Sequence, residues 1–177
     1  MFAIERFQRF ASAAREAREL AAFARATRAI NQAEDPLAPE SGEAERVVAA
    51  LEAMFIMLAP SAEAIDQAES DFREVLGVMM GPELDEEQGE DLAEGFAEAL
   101  EDEGLEIRLK TVAEALRRER PFAEQAFKLC AAVVGSTSMD PSDADGFLTD
   151  LAEELDVDDE RVEVLLAEVE AALRGPE

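Results

Sequence analysis

Residues Phe122 to Val134 read FAEQAFKLCAAVV, preceded by Pro121 and followed by GSTS at 135–138. Phe122, Ala126, Leu129, Cys130 and Val133 recur at helical spacing, while Phe127, Ala131, Ala132 and Val134 carry apolar surface onto the other faces. A helix that is apolar all round has to be enclosed by protein, so this stretch predicts a central helix. Pro121 suits the first helical position, where its missing N–H has no partner to lose, and Gly135 suits a left-handed helix ending. Ala44 to Ala59, AERVVAALEAMFIMLA, is apolar on nearly every face from Val47 and stops at Pro60, which predicts a second buried helix. At about sixteen residues it is too short to span a bilayer.

Amphipathic helices fill the chain around these two. Asp66 followed by Glu69 reads as an N-cap with an acid three positions on, and Phe72, Val75, Leu76 and Met79 form one face before Gly81-Pro82. A helix from near Asp85 turns Leu92, Phe96, Ala99 and Leu100 inward, shows an almost wholly acidic outer face and ends at Gly104. Leu105, Leu109, Val112, Ala113 and Leu116 mark the next helix. Its far side, with Arg108, Lys110, Arg117, Arg118 and the nearby Arg120, reads as a base-rich strip that neutralises neighbouring acids. Asp140 with Pro141 and Asp143 is a strong helix start, and Asp158 caps a last helix carrying Val162, Leu165, Leu166, Val169 and Leu173. No strand pattern occurs. The expected fold is all-α, a compact domain of about seven helices over residues 44–174 with a twofold pseudo-repeat, preceded by one long N-terminal helix.

That N-terminal segment, Ala3 to about Ile30, lacks Pro and Gly and is rich in Ala, Arg, Glu and Leu, all good helix formers. Phe7, Phe10, Ala14, Ala17, Leu20, Ala21 and Ala24 share a narrow face suited to packing against another helix. The segment QAEDPLAPESGE at 32–43 has a linker composition, so residues 1–33 read as a separable basic arm. On that reading Phe7, Phe10 and Leu20 serve a protein partner or self-association, with contact to a membrane surface the weaker reading.

Charge bounds the function. The chain has 43 acidic and 16 basic residues and a net charge of -27. Residues 1–33 hold six Arg against Glu5, Glu16 and Glu19, a net of +3, so the remainder carries -30. Such a body repels nucleic acid, whose phosphates need Lys and Arg to displace counterions. The chain has no His and a single cysteine, Cys130, which excludes the usual zinc sites, every His-dependent triad and an internal disulfide. No Gly-rich phosphate loop or other catalytic constellation appears, so no enzyme and no cofactor are expected. The start of the chain lacks an apolar secretory core, from which a cytoplasmic location is expected.

The stretch LAPSAEAIDQAESDFREVLGV from Leu58 lies over GSTSMDPSDADGFLTDLAEELDV, pairing Ile65-Asp66 with Met139-Asp140 and Glu69 with Asp143. The order is apolar helix, polar turn, apolar residue, cap, acid and amphipathic helix, then the tail LDVDDERVEVLLAEVE. In this order residues 44–173 resemble the tellurite-resistance TerB-like family, which includes the N-terminal domain of DjlA-type co-chaperones. The resemblance implies a two-part helical domain of bacterial stress responses and, in some members, divalent-cation binding through acids. Family members carry an Asp-Gly pair in each turn, where this chain has Ala62-Glu63 and Ser136-Thr137. The residues left to hold a weakly bound divalent cation are Asp66, Glu69, Asp140 and Asp143. The expected function is therefore a non-catalytic protein-interaction module of a stress or tellurite- and metal-resistance system, with an acidic divalent-cation-binding protein as the alternative.

Overall fold

The computed structural model describes residues 2–175, and within them the fold is all-helical, without strands. In chain order the helices are α1 (Ile4–Glu16), α2 (Ala21–Gln32), α3 (Gly42–Leu58), α4 (Ile65–Met80), α5 (Glu86–Glu103), α6 (Leu105–Leu116), α7 (Arg120–Gly135), α8 (Pro141–Glu154) and α9 (Asp159–Arg174), with a 3-10 turn at Ala62–Ala64. The two helices apolar on all faces are the centre, as their sequences require. Every residue of α3 from Val47 to Leu58 is buried, and so is every residue of α7 from Ala126 to Val134. α3 touches α2, α4, α5, α6 and α7, while α7 touches α1, α3, α6, α8 and α9. Among the described residues no helix is long and apolar enough to cross a membrane.

Aromatic side chains lock the layers together. Phe55 of α3, Phe72 of α4 and Phe96 of α5 meet with ring centroids 5.5–6.1 Å apart, two of the three contacts edge-on, the geometry that ring quadrupoles favour. Phe23 of α2 stacks on Phe122 of α7 at 6.3 Å, under the guanidinium of Arg46. Gly104 at φ 87° lets α6 begin immediately after α5, a corner that any side chain would strain. Gly135 does not take the expected left-handed form. It is the last residue of α7, and Ser136 closes the helix. What Gly135 supplies is room, because a Cβ there would come within 2.7 Å of Leu173 Cδ1. Pro121 likewise sits one residue inside the start of α7, since Glu119 is the N-cap.

The N-terminal segment departs most from expectation. Instead of one long helix there are two, and the count of seven helices after it becomes seven after a pair, nine in all among the described residues. Arg18 adopts φ 62°, its N–H donates to Arg15 O and the Glu19 N–H donates to Ala14 O, both at 2.9 Å. This is a Schellman ending with arginine where glycine is usual, a left-handed residue that costs about 1–2 kcal/mol. The bend sends two apolar stripes to different neighbours: α1 packs on α9, α4 and α7, and α2 packs on α3 and α4. Phe7, Phe10 and Leu20 are 0, 2 and 4% exposed and lie in the common core, so they are not available to a partner as expected. The Ala3 N–H also donates to Ser136 O at the end of α7.

The link between α2 and α3 is irregular but docked. Pro36 and Pro39 are buried, Asp35 accepts from the Leu37 N–H at 3.0 Å, and the Leu37 side chain lies so close to Gly95 that a Cβ there would collide with it. One apolar cluster runs from Phe2 to Leu173 across this link.

Candidate functional site

The four acids expected to hold a cation have different local roles. Asp140 is the N-cap of α8, its Oδ1 accepting from the Ser142 N–H at 2.9 Å, and Asp143 lies in the first turn. Asp66 is not a cap: the 3-10 turn runs into α4, Ala64 takes the cap position, and Asp66 sits exposed inside the first turn. α4 packs on α1, α2, α3 and α5, whereas α8 packs on α6 and α7. Among the described residues no three acidic side chains gather closely enough to hold a metal ion, so the expected convergence of Asp66, Glu69, Asp140 and Asp143 does not occur. The carboxyl of Glu69 is held above its usual range. Burial is the main cause, Arg73 opposes it, and Asp66, Glu94 and Glu101 add to it.

Two charges inside the central helices escaped the sequence reading. Glu52, in the apolar run of α3, is 6% exposed and accepts both the Nε and Nη2 hydrogens of Arg108 at 2.7 and 2.8 Å. Glu103 takes Nη1 at 2.8 Å, and the paired carboxylates hold the guanidinium well above its ordinary range. Lys128, in the apolar run of α7, is 8% exposed and lies 3.0 Å from Glu19 and 2.9 Å from Glu168. Desolvation alone would lower its pKa, but the two carboxylates outweigh it and the ammonium is held above 10.5. A lone charge in an otherwise apolar helix was the signal for both. Three members of the base-rich strip pair with acids as the sequence suggests: Arg108 binds Glu52 and Glu103, Lys110 binds Glu106, and Arg120 reaches Glu124 and Asp158; Arg117 instead donates to the Glu154 carbonyl at 3.5 Å, and Arg118 stands in no ion pair among the described residues. Cys130 is fully buried, and desolvation pushes its thiol far up, so it is no nucleophile at neutral pH.

Concave surface lies elsewhere. A groove of about 960 Å³ runs between α1, α2 and the C-terminal half of α4, with Ile4, Ala24, Val78 and Met80 on its walls and Arg15, Glu74 and Glu83 at its rim. It passes Gly77 and Gly81 into a smaller hollow of about 290 Å³ edged by Arg73, Glu86 and Glu90. The sequence marked this place only as a helix end at Gly81-Pro82. Neither feature holds the paired nucleophile and base of a covalent mechanism. No protein-family model, curated protein or solved structure matches the chain.

Proposed function

We propose that the protein is a non-catalytic protein-interaction module whose partner presents a basic surface. The observation that supports this reading is the outer face of α5. Glu86, Glu87, Glu90, Asp91, Glu94, Glu98, Glu101 and Asp102 line that helix without an ion-pair partner among the described residues, and only Glu103 is paired, with Arg108. Most of the body's bases pair within the chain, Arg108, Lys128 and Arg161 among them, while Arg73, Arg117 and Arg118 stand in no ion pair among the described residues. An uncompensated field of one sign steers a partner of the opposite sign and rejects like-charged ones. The likeness of residues 44–173 to the TerB-like family, including the proposed pairing of α3–α4 with α7–α8, directs the search for that partner to bacterial stress and metal-resistance systems.

The test is affinity capture with the full chain, followed by calorimetric titration of the purified pair at two salt concentrations. A stoichiometric complex that weakens as salt rises is expected. The alternative, divalent-cation binding, has against it the dispersal of Asp66, Glu69, Asp140 and Asp143. Saturable heats with Ca²⁺, Mg²⁺ or Zn²⁺ in the absence of any protein complex would replace the interaction reading with the cation reading.

A further inference from the structure

We propose that residues 34–40, between α2 and α3, form a strap that opens and closes as a local unit, latched by Leu37 at Gly95 of α5 and weakened by like charge on the strap and on α5. Its two ends are fixed. Asn31 donates to Glu83 O and accepts from the Asp85 N–H, both at 2.8 Å, Gln88 of α5 donates to Ala33 O at 3.0 Å, and Ser41 caps α3. Between these anchors the hydrogen bonds stay inside the strap: the Leu37 N–H donates to Asp35 Oδ1 and the Ala38 N–H to Asp35 O, both at 3.0 Å. Lifting the strap therefore breaks no hydrogen bond to the rest of the chain, and such segments open well below the cost of global unfolding. A hollow of about 550 Å³ also lies between the strap and Ala29 and Gln32 of α2, so that side is not close-packed.

Gly95 identifies the latch. It sits in the interior of α5, where glycine is less favourable than alanine. A Cβ added there would collide with the isobutyl group of Leu37, whereas at Gly77, Gly81, Gly104 and Gly146 it would meet nothing. The small residue at 95 is thus matched to Leu37 itself. Leu37 is 38% exposed and can swing into water when displaced. Pro36 and Pro39 beside it are buried and stiff in φ, so the latch and the strap move together.

Charge opposes closure. The strap carries Glu34, Asp35 and Glu40 and no Lys or Arg. On α5, Asp91 and Glu98 lie one turn to either side of Gly95, and Glu94 precedes it. None of these acids stands in an ion pair among the described residues. Dissolved cations screen this repulsion, so ionic conditions set how far the strap is closed. The strap needs no partner and is independent of the interaction reading.

The test is thiol labelling of the full-length chain with uncharged N-ethylmaleimide. Pro39→Cys places a thiol at a buried position of the strap, and the native Cys130, fully buried, reports global unfolding in the same molecule. The introduced thiol should react at least about tenfold faster than Cys130. Adding Gly95→Ala should speed it severalfold without speeding Cys130, because alanine displaces Leu37 but favours α5. Glu34→Gln/Glu40→Gln should slow it severalfold and flatten its response to NaCl, which in the parent is a fall in rate as salt rises. A protected Cys130 shows each variant to be folded, and Pro36→Cys repeats the measurement at the second buried proline. Labelling in step with Cys130, a rate indifferent to Gly95→Ala, or a rate that does not fall with salt would overturn the strap.

Discussion

α3 and α7 are both enclosed on every side, and each buries one charge of opposite sign, yet the two charges are satisfied in different ways. Glu52 of α3 is met by a single planar guanidinium from the neighbouring α6, bound through two parallel hydrogen bonds. Lys128 of α7 has no such partner. It is met by Glu168 of α9 and by Glu19, 109 residues earlier, which reaches it from the turn where Arg18 breaks the N-terminal helix. The α3 charge is closed between neighbours, whereas the α7 charge holds the first and last helical layers to the centre. Similar buried charges thus do different structural work: one pair fixes the register of two helices, and the other joins distant segments of the chain.

Removing residues 2–33 attacks the α7 side of this comparison and has the largest expected effect. It takes away Phe7, Phe10, Leu20, Phe23, Ile30 and Glu19 and uncovers α3, α4, α7 and α9. Losing one buried Phe costs about 3–5 kcal/mol, and whole domains are stable by only about 5–15 kcal/mol. The truncated chain should therefore lose its cooperative thermal transition in circular dichroism. A sharp transition near the native temperature would mean that the N-terminal helices are an accessory after all.

Arg108→Ala attacks the α3 side. It leaves Glu52 buried without a counter-charge and should cost about 3–5 kcal/mol in urea denaturation. The double variant Glu52→Leu/Arg108→Leu should recover most of that loss, because the penalty lies in the orphaned charge. If the double variant is as unstable as the single one, the pair contributes through geometry that leucines cannot replace.

Lys128→Met should cost less, about 1–2 kcal/mol, since Glu19 and Glu168 are partly exposed and regain water when the ammonium is removed. Its pH signature is specific. The folded state raises the lysine pKa above 10.5, so the protonated form is favoured on folding. The contribution is complete below 10.5 and is lost as pH rises through the higher folded value. The native melting temperature should fall more steeply than that of Lys128→Met in this alkaline range, and parallel curves would show that the two carboxylates do not hold the proton.

The smallest effect sharpens the comparison at the helices that follow the two centres. Asp140→Ala should cost about 1 kcal/mol because it removes a cap. Asp66→Ala should stay within about 0.5 kcal/mol, as at an ordinary surface site. Equal losses would mean that Asp66 does more for α4 than its exposed position indicates.

Much of the fold was legible in the residues themselves. Apolar residues on every face of 47–58 and 126–134 mark helices that water cannot surround, and both are central. Asp140 and Asp158 cap where their neighbours require, the former because Pro141 has no N–H to donate and suits the first turn of a helix, and Gly104 turns the corner that only glycine turns without strain. These signals are complete within one or two helical turns of chain and the fold kept them, whereas the equally local signals at Gly135 and Asp66 gave way, to a helix that continues to its last turn beside Leu173 and to a 3-10 turn that starts α4 early. Arg18 in a left-handed conformation, Glu19 reaching Lys128, the burial of Phe7, Phe10 and Leu20, and the separation of Asp66 and Glu69 from Asp140 and Asp143 were decided by the tertiary structure. An apolar stripe states that something must cover it but not which surface does, and a carboxylate states its charge but not its neighbours. Those identities are set by segments brought together from across the chain, because only the folded whole determines which burial and which pairing outweigh a local cost such as the left-handed Arg18.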